Sequence, residues 1–332
     1  MATKVRVTVS LDQPGKRTGH CLVPYSSNRS AYGSVAIPIG IISNGTGPTV
    51  LLSGGLHGDE YEGQIAVRNL FNLLRPENVM GRVLCLPFLN TPATRSATRV
   101  SPIDNLNLNR IFPGDANGSP TEQIAAFLNE ILVPQADLWI DLHAGGSSLD
   151  YYPCVARHRS SDDVLDAKGM NFLKAFGGPY GLVWENFTEP GQGAFTAEAH
   201  NTVYITSELG GAGRADDAAT SLAEAGLLRC LASLGCIEDE VEQQDEEMTI
   251  LSADHGRDYY VTETFGLFRP RVRLGESVKS GQLLGEVYPS WDFETAVTSL
   301  VARCDGLVVC RRHPAHSEPG DILFHLAQPI ST

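Results

Sequence analysis

Positive charge, long apolar runs and paired cysteines are all scarce in this sequence, and each scarcity excludes something. Lysine and arginine number 25 against 39 aspartates and glutamates, a net charge of −14. Such an excess of acid repels phosphate backbones and anionic lipid, so neither nucleic acid nor a membrane surface is expected as a partner. A few local arginines can still build a positive pocket for a small anionic substrate. No apolar run approaches the length of a bilayer span, and the opening MATKVRVTVSLDQPGKRTGH contains no signal-peptide core. The seven cysteines are odd in number and form no CxxC pair. Several, such as Cys85 in RVLCLPFL, sit in strand-like runs and read as buried, reduced thiols. The expectation is a cytoplasmic chain.

What is present is enough apolar residue, 42% of 332, for one large domain and a small one. Residues 1–48 alternate short strand-like runs with Gly, Pro, Ser and Asn turns. TVLLSGG then reads as a buried strand, followed by a helix with Ile65, Val67, Leu70, Phe71 and Leu74 at helical spacing. RVLCLPFLN is the next strand. Ser119-Pro120-Thr121-Glu122 opens a helix, with Ser119 as cap, Pro120 at the first helical position and Glu122 closing a capping box. ADLWIDL and TVYITSEL are two more buried strands. Strands alternating with helices predict an α/β fold, a mostly parallel mixed sheet sandwiched by helices, over residues 1–237. The acidic run EDEVEQQDEE at 238–247 reads as a solvated linker. Residues 248–332 hold short strands and Gly turns without a long helix pattern, a small all-β, barrel-like domain.

Four motifs carry chemistry. Gly54-Gly55-Leu56-His57-Gly58-Asp59-Glu60 follows a strand, and an imidazole and a carboxylate three positions apart at such a turn can share one metal ion. A polar loop facing water is the bland alternative. Asp141-Leu142-His143-Ala144-Gly145-Gly146 puts a second histidine at the carboxyl end of another buried strand, the edge where open parallel sheets hold their ligands. His57, Glu60 and His143 then form a His₂Glu set with an open position, the pattern of a catalytic zinc ion; structural sites are closed and usually rich in cysteine. The Asn109-Arg110 pair offers an amide and a planar fork suited to a carboxylate, although Arg99 and Arg110 also read as ordinary surface charges. Glu208 in Ser207-Glu208-Leu209-Gly210-Gly211 ends an apolar strand at the same edge, weak evidence by itself.

Taken in order and spacing, GGLHGDEYEG, the R-x-S-P-x-D-x-x-NLNRIFPG stretch, DLHAGG and SELGG resemble the succinylglutamate desuccinylase/aspartoacylase family, relatives of the zinc carboxypeptidases, over roughly residues 35–235. SAYGSVAIPI, LDYYPCVARHR and AFGGPYGLV look more particularly like the N-acetyl-diaminobutyrate deacetylases of that family, which act in ectoine breakdown. The resemblance implies one Zn²⁺ per chain held by His57, Glu60 and His143, with Arg99 polarising the acyl carbonyl. It also implies that Asn109 and Arg110 grip the substrate carboxylate and that Glu208 shuttles protons. Asn107 stands where some members carry aspartate, which leaves open whether Asn107 or Asp141 orients a zinc-bound histidine. GESVKSGQLLGEV and CDGLVV…PGDIL resemble a lipoyl/biotinyl-like β-module, but Tyr288–Thr298 contains no lysine to carry a swinging arm. His313 and His316 read as a solvated loop, since no third ligand is evident.

The expectation is therefore an amidohydrolase that removes an acyl group, acetyl first, from a small N-acyl amino acid. Alternatives are a succinylglutamate desuccinylase or aspartoacylase, a metallocarboxypeptidase, and an anion-binding protein with a silent site. A homo-oligomer formed through an edge strand or the β-module is also possible on this reading.

Overall fold

In the computed structural model, which describes residues 3–185, 190–238, 241 and 247–330, the N-terminal strands β1 (Arg6–Val7), β2 (Gly15–Pro24) and β3 (Ser34–Asn44) form an antiparallel ribbon. The alternating part follows: β4 (Thr49–Gly54), α1 (Glu62–Leu73), β5 (Gly81–Leu86), α2 (Thr91–Ser96), α3 (Pro120–Phe127) and β6 (Leu138–Leu142). It continues with β7 (Leu149–Tyr151), β8 (Cys154–His158), α4 (Asp163–Phe176), β9 (Tyr180–Trp184), α5 (Gly193–Ala199), β10 (Val203–Glu208) and α6 (Asp217–Ser233).

Every residue of β4 and of β6 is buried, and the pleat explains why both are apolar nearly throughout. Val50, Leu52, Leu138 and Ile140 point into a core shared with Leu70 of α1, Phe172 of α4 and Leu227 of α6. Leu51 and Trp139 point the other way, into a core shared with Ile124 and Phe127 of α3. Helices therefore cover both faces of this part of the sheet. On α1 the inward face is Ala66, Val67, Leu70 and Leu74, while Ile65 is 38% exposed because it lies beside that stripe rather than on it. The capping box of α3 forms as expected, with Ser119 N–H donating to Glu122 Oε2 at 2.7 Å. The helix is α-type only to Phe127; a π turn over Leu128–Leu132 then keeps Leu128 and Leu132 buried.

The C-terminal part adds β11 (Thr249–Ala253), the turn α7 (His255–Asp258), β12 (Tyr259–Val261), β13 (Gly266–Pro270), β14 (Ser277–Val278) and β15 (Leu283–Pro289). It ends with β16 (Thr298–Val301), β17 (Gly306–Arg312), β18 (His316–Ser317) and β19 (Ile322–Pro329). The fifteen-stranded sheet has the order β1-β2-β3-β5-β4-β6-β10-β8-β9-β11-β19-β17-β14, with β12 on β19 and β7 on β17; β16-β15-β13-β18 form a second, antiparallel sheet.

The expected mostly parallel sheet is corrected here. Parallel pairing is confined to β5-β4-β6-β10 and to β8-β9-β11; all other neighbours are antiparallel. Hairpins at the N-terminus and the returning strands at the C-terminus need no crossover helix, so they extend the sheet in antiparallel fashion. Most of the acidic 238–247 run lies outside the described residues. Among the described residues no helix is long and apolar enough to cross a membrane.

Candidate metal centre and substrate cavity

Three neighbouring parallel strands, β4, β6 and β10, end at one edge of the sheet. His57 and Glu60 lie on the turn after β4, His143 directly follows β6, and Glu208 is the last residue of β10. The turn after β4 depends on its glycines. Gly55 has φ +68°, and a Cβ on Gly58 would meet the Ala93 carbonyl carbon at 2.0 Å.

Residues far apart in the chain thereby converge. One ligand atom from each of His57, Glu60 and His143 lies within 4.8 Å of the others, and all three residues are buried. His57 Nδ1 is 2.7 Å from Glu60 Oε1 and His143 Nδ1 is 2.8 Å from Glu60 Oε2. The far nitrogens are held from behind: His57 Nε2 is 3.0 Å from Asn107 Oδ1, and His143 Nε2 is 2.9 Å from Asp141 Oδ2. Asn107 Oδ1 also accepts from Asn109 N–H at 2.9 Å, which fixes the amide with its oxygen toward the ring. Asp141 accepts from the hydroxyls of Ser53 at 2.6 Å and Tyr204 at 3.1 Å. Acceptors at both Nε2 atoms keep the protons there and leave the Nδ1 lone pairs for a shared cation. Two nitrogens and a carboxylate so arranged fit a divalent transition metal. Both Asn107 and Asp141 support a ring, one each.

The charges agree with a cation site. Burial alone would push the Glu60 carboxyl up, but His57 and His143 outweigh it and hold Glu60 well below the usual carboxylate range. Burial lowers His57 against the pull of Glu60. For His143 burial is overcome by Asp141 and Glu60, and its imidazole is raised well above its ordinary value.

The other expected residues lie around the same cavity of about 260 Å³. Arg99 is partly exposed, with Nη1 3.2 Å from Glu60 Oε1. Asn109 Oδ1 accepts from Gly193 N–H at 2.9 Å, which leaves its amide N–H₂ for a ligand. Arg110 lines the cavity beside it and donates to the Asn109 carbonyl at 2.8 Å. Glu208 is half-buried, its enclosed Oε2 has no hydrogen-bond partner, and desolvation followed by the charge of Glu60 pushes its carboxyl up to about 8. His313 and His316 join no group of metal-ligating side chains among the described residues.

Sequence reasoning missed the rest of the lining, notably Tyr151, Trp184, Gln192 and Tyr259. Beside α5 the cavity face of the sheet is left open to the lining residues. Val155 of β8 and Val183 of β9 pack beneath α4 and α6, while Trp184, Tyr204 and Thr206 line the cavity on the other face. An aromatic at a strand end was the only available signal for Trp184.

Comparison with known proteins agrees with this geometry. Residues 46–234 match the family described as the succinylglutamate desuccinylase/aspartoacylase catalytic domain. The chain is 36% identical to the N-alpha-acetyl-L-2,4-diaminobutyric acid deacetylase of Halomonas elongata, across 99% of this chain and 96% of that protein. It superposes on the product-bound structure of the ectoine utilization protein EutE (DoeB) from Ruegeria pomeroyi with a TM-score of 0.95 and 36% identity, covering 99% of both chains. A succinylglutamate desuccinylase/aspartoacylase from Rhodobacter sphaeroides gives a TM-score of 0.93 and 35% identity over 99% of this chain and 100% of that one.

Proposed function

The chain belongs to the succinylglutamate desuccinylase/aspartoacylase family, and from that premise we propose that it is a zinc-dependent amidohydrolase that releases an acetyl group from an N-acetyl amino acid of the N-acetyl-diaminobutyrate kind. The observation that carries this is the meeting of His57, Glu60 and His143 on the wall of a cavity that also holds Glu208, whose enclosed Oε2 has no hydrogen-bond partner. The reading includes kinship of the main sheet with the zinc carboxypeptidases.

His57, Glu60 and His143 would hold the single ion of each chain. When bound, zinc supplies Lewis acidity toward the acyl oxygen and brings the pKa of a coordinated water toward about 7. Glu208 takes a proton from the attacking water at its unpartnered Oε2 and returns it to the departing amine nitrogen. Arg99, next to Glu60 at the cavity mouth, donates to the oxyanion as charge develops there. The Asn109 amide and the Arg110 guanidinium bind the amino-acid carboxylate and fix the scissile bond against the cluster. Burial of His57, Glu60 and His143 strengthens the contacts made there.

The test is a screen of purified, zinc-loaded protein against N-acetyl-diaminobutyrate, N-acetylaspartate, N-succinylglutamate and dipeptides, with metal content measured on the same sample. Acetate release from N-acetyl amino acids, with about one zinc per chain, is the expected result. Peptide cleavage without deacylation would move the protein to the carboxypeptidases, and inactivity on the whole panel with zinc bound would end the enzymatic reading.

A further inference from the structure

The two arginines that give the cavity its positive charge, Arg99 and Arg110, come from one loop, between α2 and α3. No lysine and no further arginine lines it among the described residues. The opposite wall is a wall of rings, built from Tyr151 of β7, Trp184 at the end of β9, Tyr204 of β10 and Tyr259 of β12, with the His158 imidazole of β8 5.0 Å from Trp184.

These rings are largely enclosed by the protein. Tyr204 Oη donates to Asp141 Oδ2 at 3.1 Å. The Trp184 indole nitrogen is itself buried, and Tyr151 and Tyr259 are only 6% and 7% exposed. The Tyr259 ring stacks on the buried His325 ring with centroids 4.0 Å apart. What this wall offers a ligand is ring surface, with Glu208 beside it. The negative faces of aromatic rings attract a cation and repel an anion. A second carboxylate on the substrate would find neither lysine nor arginine among the described residues of this wall, only the His158 imidazole, whereas an ammonium would be attracted to the rings and to Glu208.

From this asymmetry we infer that Trp184, with Tyr259 and Tyr151, is the specificity element of the cavity, selecting amino acids whose side chain ends in a cation and rejecting those that end in a carboxylate. The inference rests on the deacylase reading for the orientation of the substrate, with its α-carboxylate toward Arg110.

Calorimetric titration of the zinc-loaded protein reads this selection without turnover. The probes are 2,4-diaminobutyrate, 2-aminobutyrate (the same chain without the terminal amine) and aspartate. Diaminobutyrate is expected to bind about 5- to 30-fold more tightly than 2-aminobutyrate, the range of a desolvated cation–π contact, with aspartate weakest. Trp184→Leu should remove most of that advantage while leaving 2-aminobutyrate within about twofold, and Trp184→Phe, which keeps a ring, should fall between. Equal affinity of the wild type for diaminobutyrate and 2-aminobutyrate would overturn the inference, as would equal weakening of both by Trp184→Leu. Selection that persists while no acetylated form is hydrolysed removes the deacylase reading and leaves the cation subsite standing. Deacylation indifferent to side-chain charge does the reverse.

Discussion

On one side of the cavity the polar atoms of His57, Glu60, His143, Asn107 and Asp141 satisfy one another at 2.7 to 3.0 Å. On the other side the rings of Tyr151, Trp184 and Tyr259, each under a tenth exposed, line the cavity, and the Trp184 indole nitrogen is buried. The first wall holds charge in fixed positions, which suits a metal and a developing oxyanion. The second offers a broad electrostatic preference without a fixed partner, which suits a side chain that must enter and leave. On the proposed reading chemistry and selection are separated on two supports of one cavity, and each can be broken alone.

Breaking the first wall should have the larger effects. His57→Ala or His143→Ala should lose zinc outright, since two ligands of a His₂Glu set cannot hold the ion against dialysis; full occupancy in either variant, by elemental analysis, would refute the ligand set. Glu208→Gln should keep zinc and lose about 10²- to 10⁴-fold in turnover, the usual worth of a proton-transfer group. Near-normal hydrolysis would remove Glu208 from the reaction. Next comes the support behind the histidines. Asp141 accepts from three donors, the Ser53 and Tyr204 hydroxyls and His143 Nε2–H, so Asp141→Asn forces an N–H₂ against one of them. Its zinc affinity should fall about 10- to 100-fold. Asn107→Ala, which removes a neutral acceptor, should lose less. The reverse ranking, by competition with a chromogenic chelator, would mean that His57 is the ring more dependent on its support.

The two walls also differ in how far the sequence discloses them. Each element of the first is a short stretch at the end of a buried strand: His57 and Glu60 after TVLLSGG, His143 after ADLWIDL, Glu208 after TVYITSE. Strand burial is legible because both faces must be apolar, and the ligand edge follows from parallel pairing, so convergence could be expected. The second wall has no motif. Tyr259 reaches the cavity because β12 pairs with β19, and Tyr151 because β7 pairs with β17, antiparallel contacts between segments more than sixty residues apart that leave no mark on local periodicity. The same non-local pairings are why the sheet is less parallel than expected. Asn107 was legible as a candidate but not as a choice, since only the fold assigns it to His57 and Asp141 to His143.

The smallest expected effect sharpens the comparison through pH, and concerns the metal-free protein. The Glu208 carboxyl is pushed up from 4.5 to about 8 by burial and by Glu60. A raised carboxyl binds a proton in the folded state that the unfolded chain has already released. Its contribution to stability is therefore complete below about pH 4.5 and lost as pH rises through about 8, where the enclosed Oε2 of an ionised Glu208 has no partner. Glutamine at this position has nothing to lose, and every other titrating group is common to the two proteins. Metal-free Glu208→Gln should accordingly melt close to the wild type at pH 5 and about 2–4 °C above it at pH 8.5, which corresponds to about 1–3 kcal/mol for a chain of this length. Zinc should shrink the difference, because a nearby cation favours the ionised carboxylate and draws its pKa down. Melting curves that stay parallel from pH 5 to 8.5 without metal would mean that the Glu208 carboxylate finds a partner on this wall, and that its proton is not held in reserve for the leaving amine.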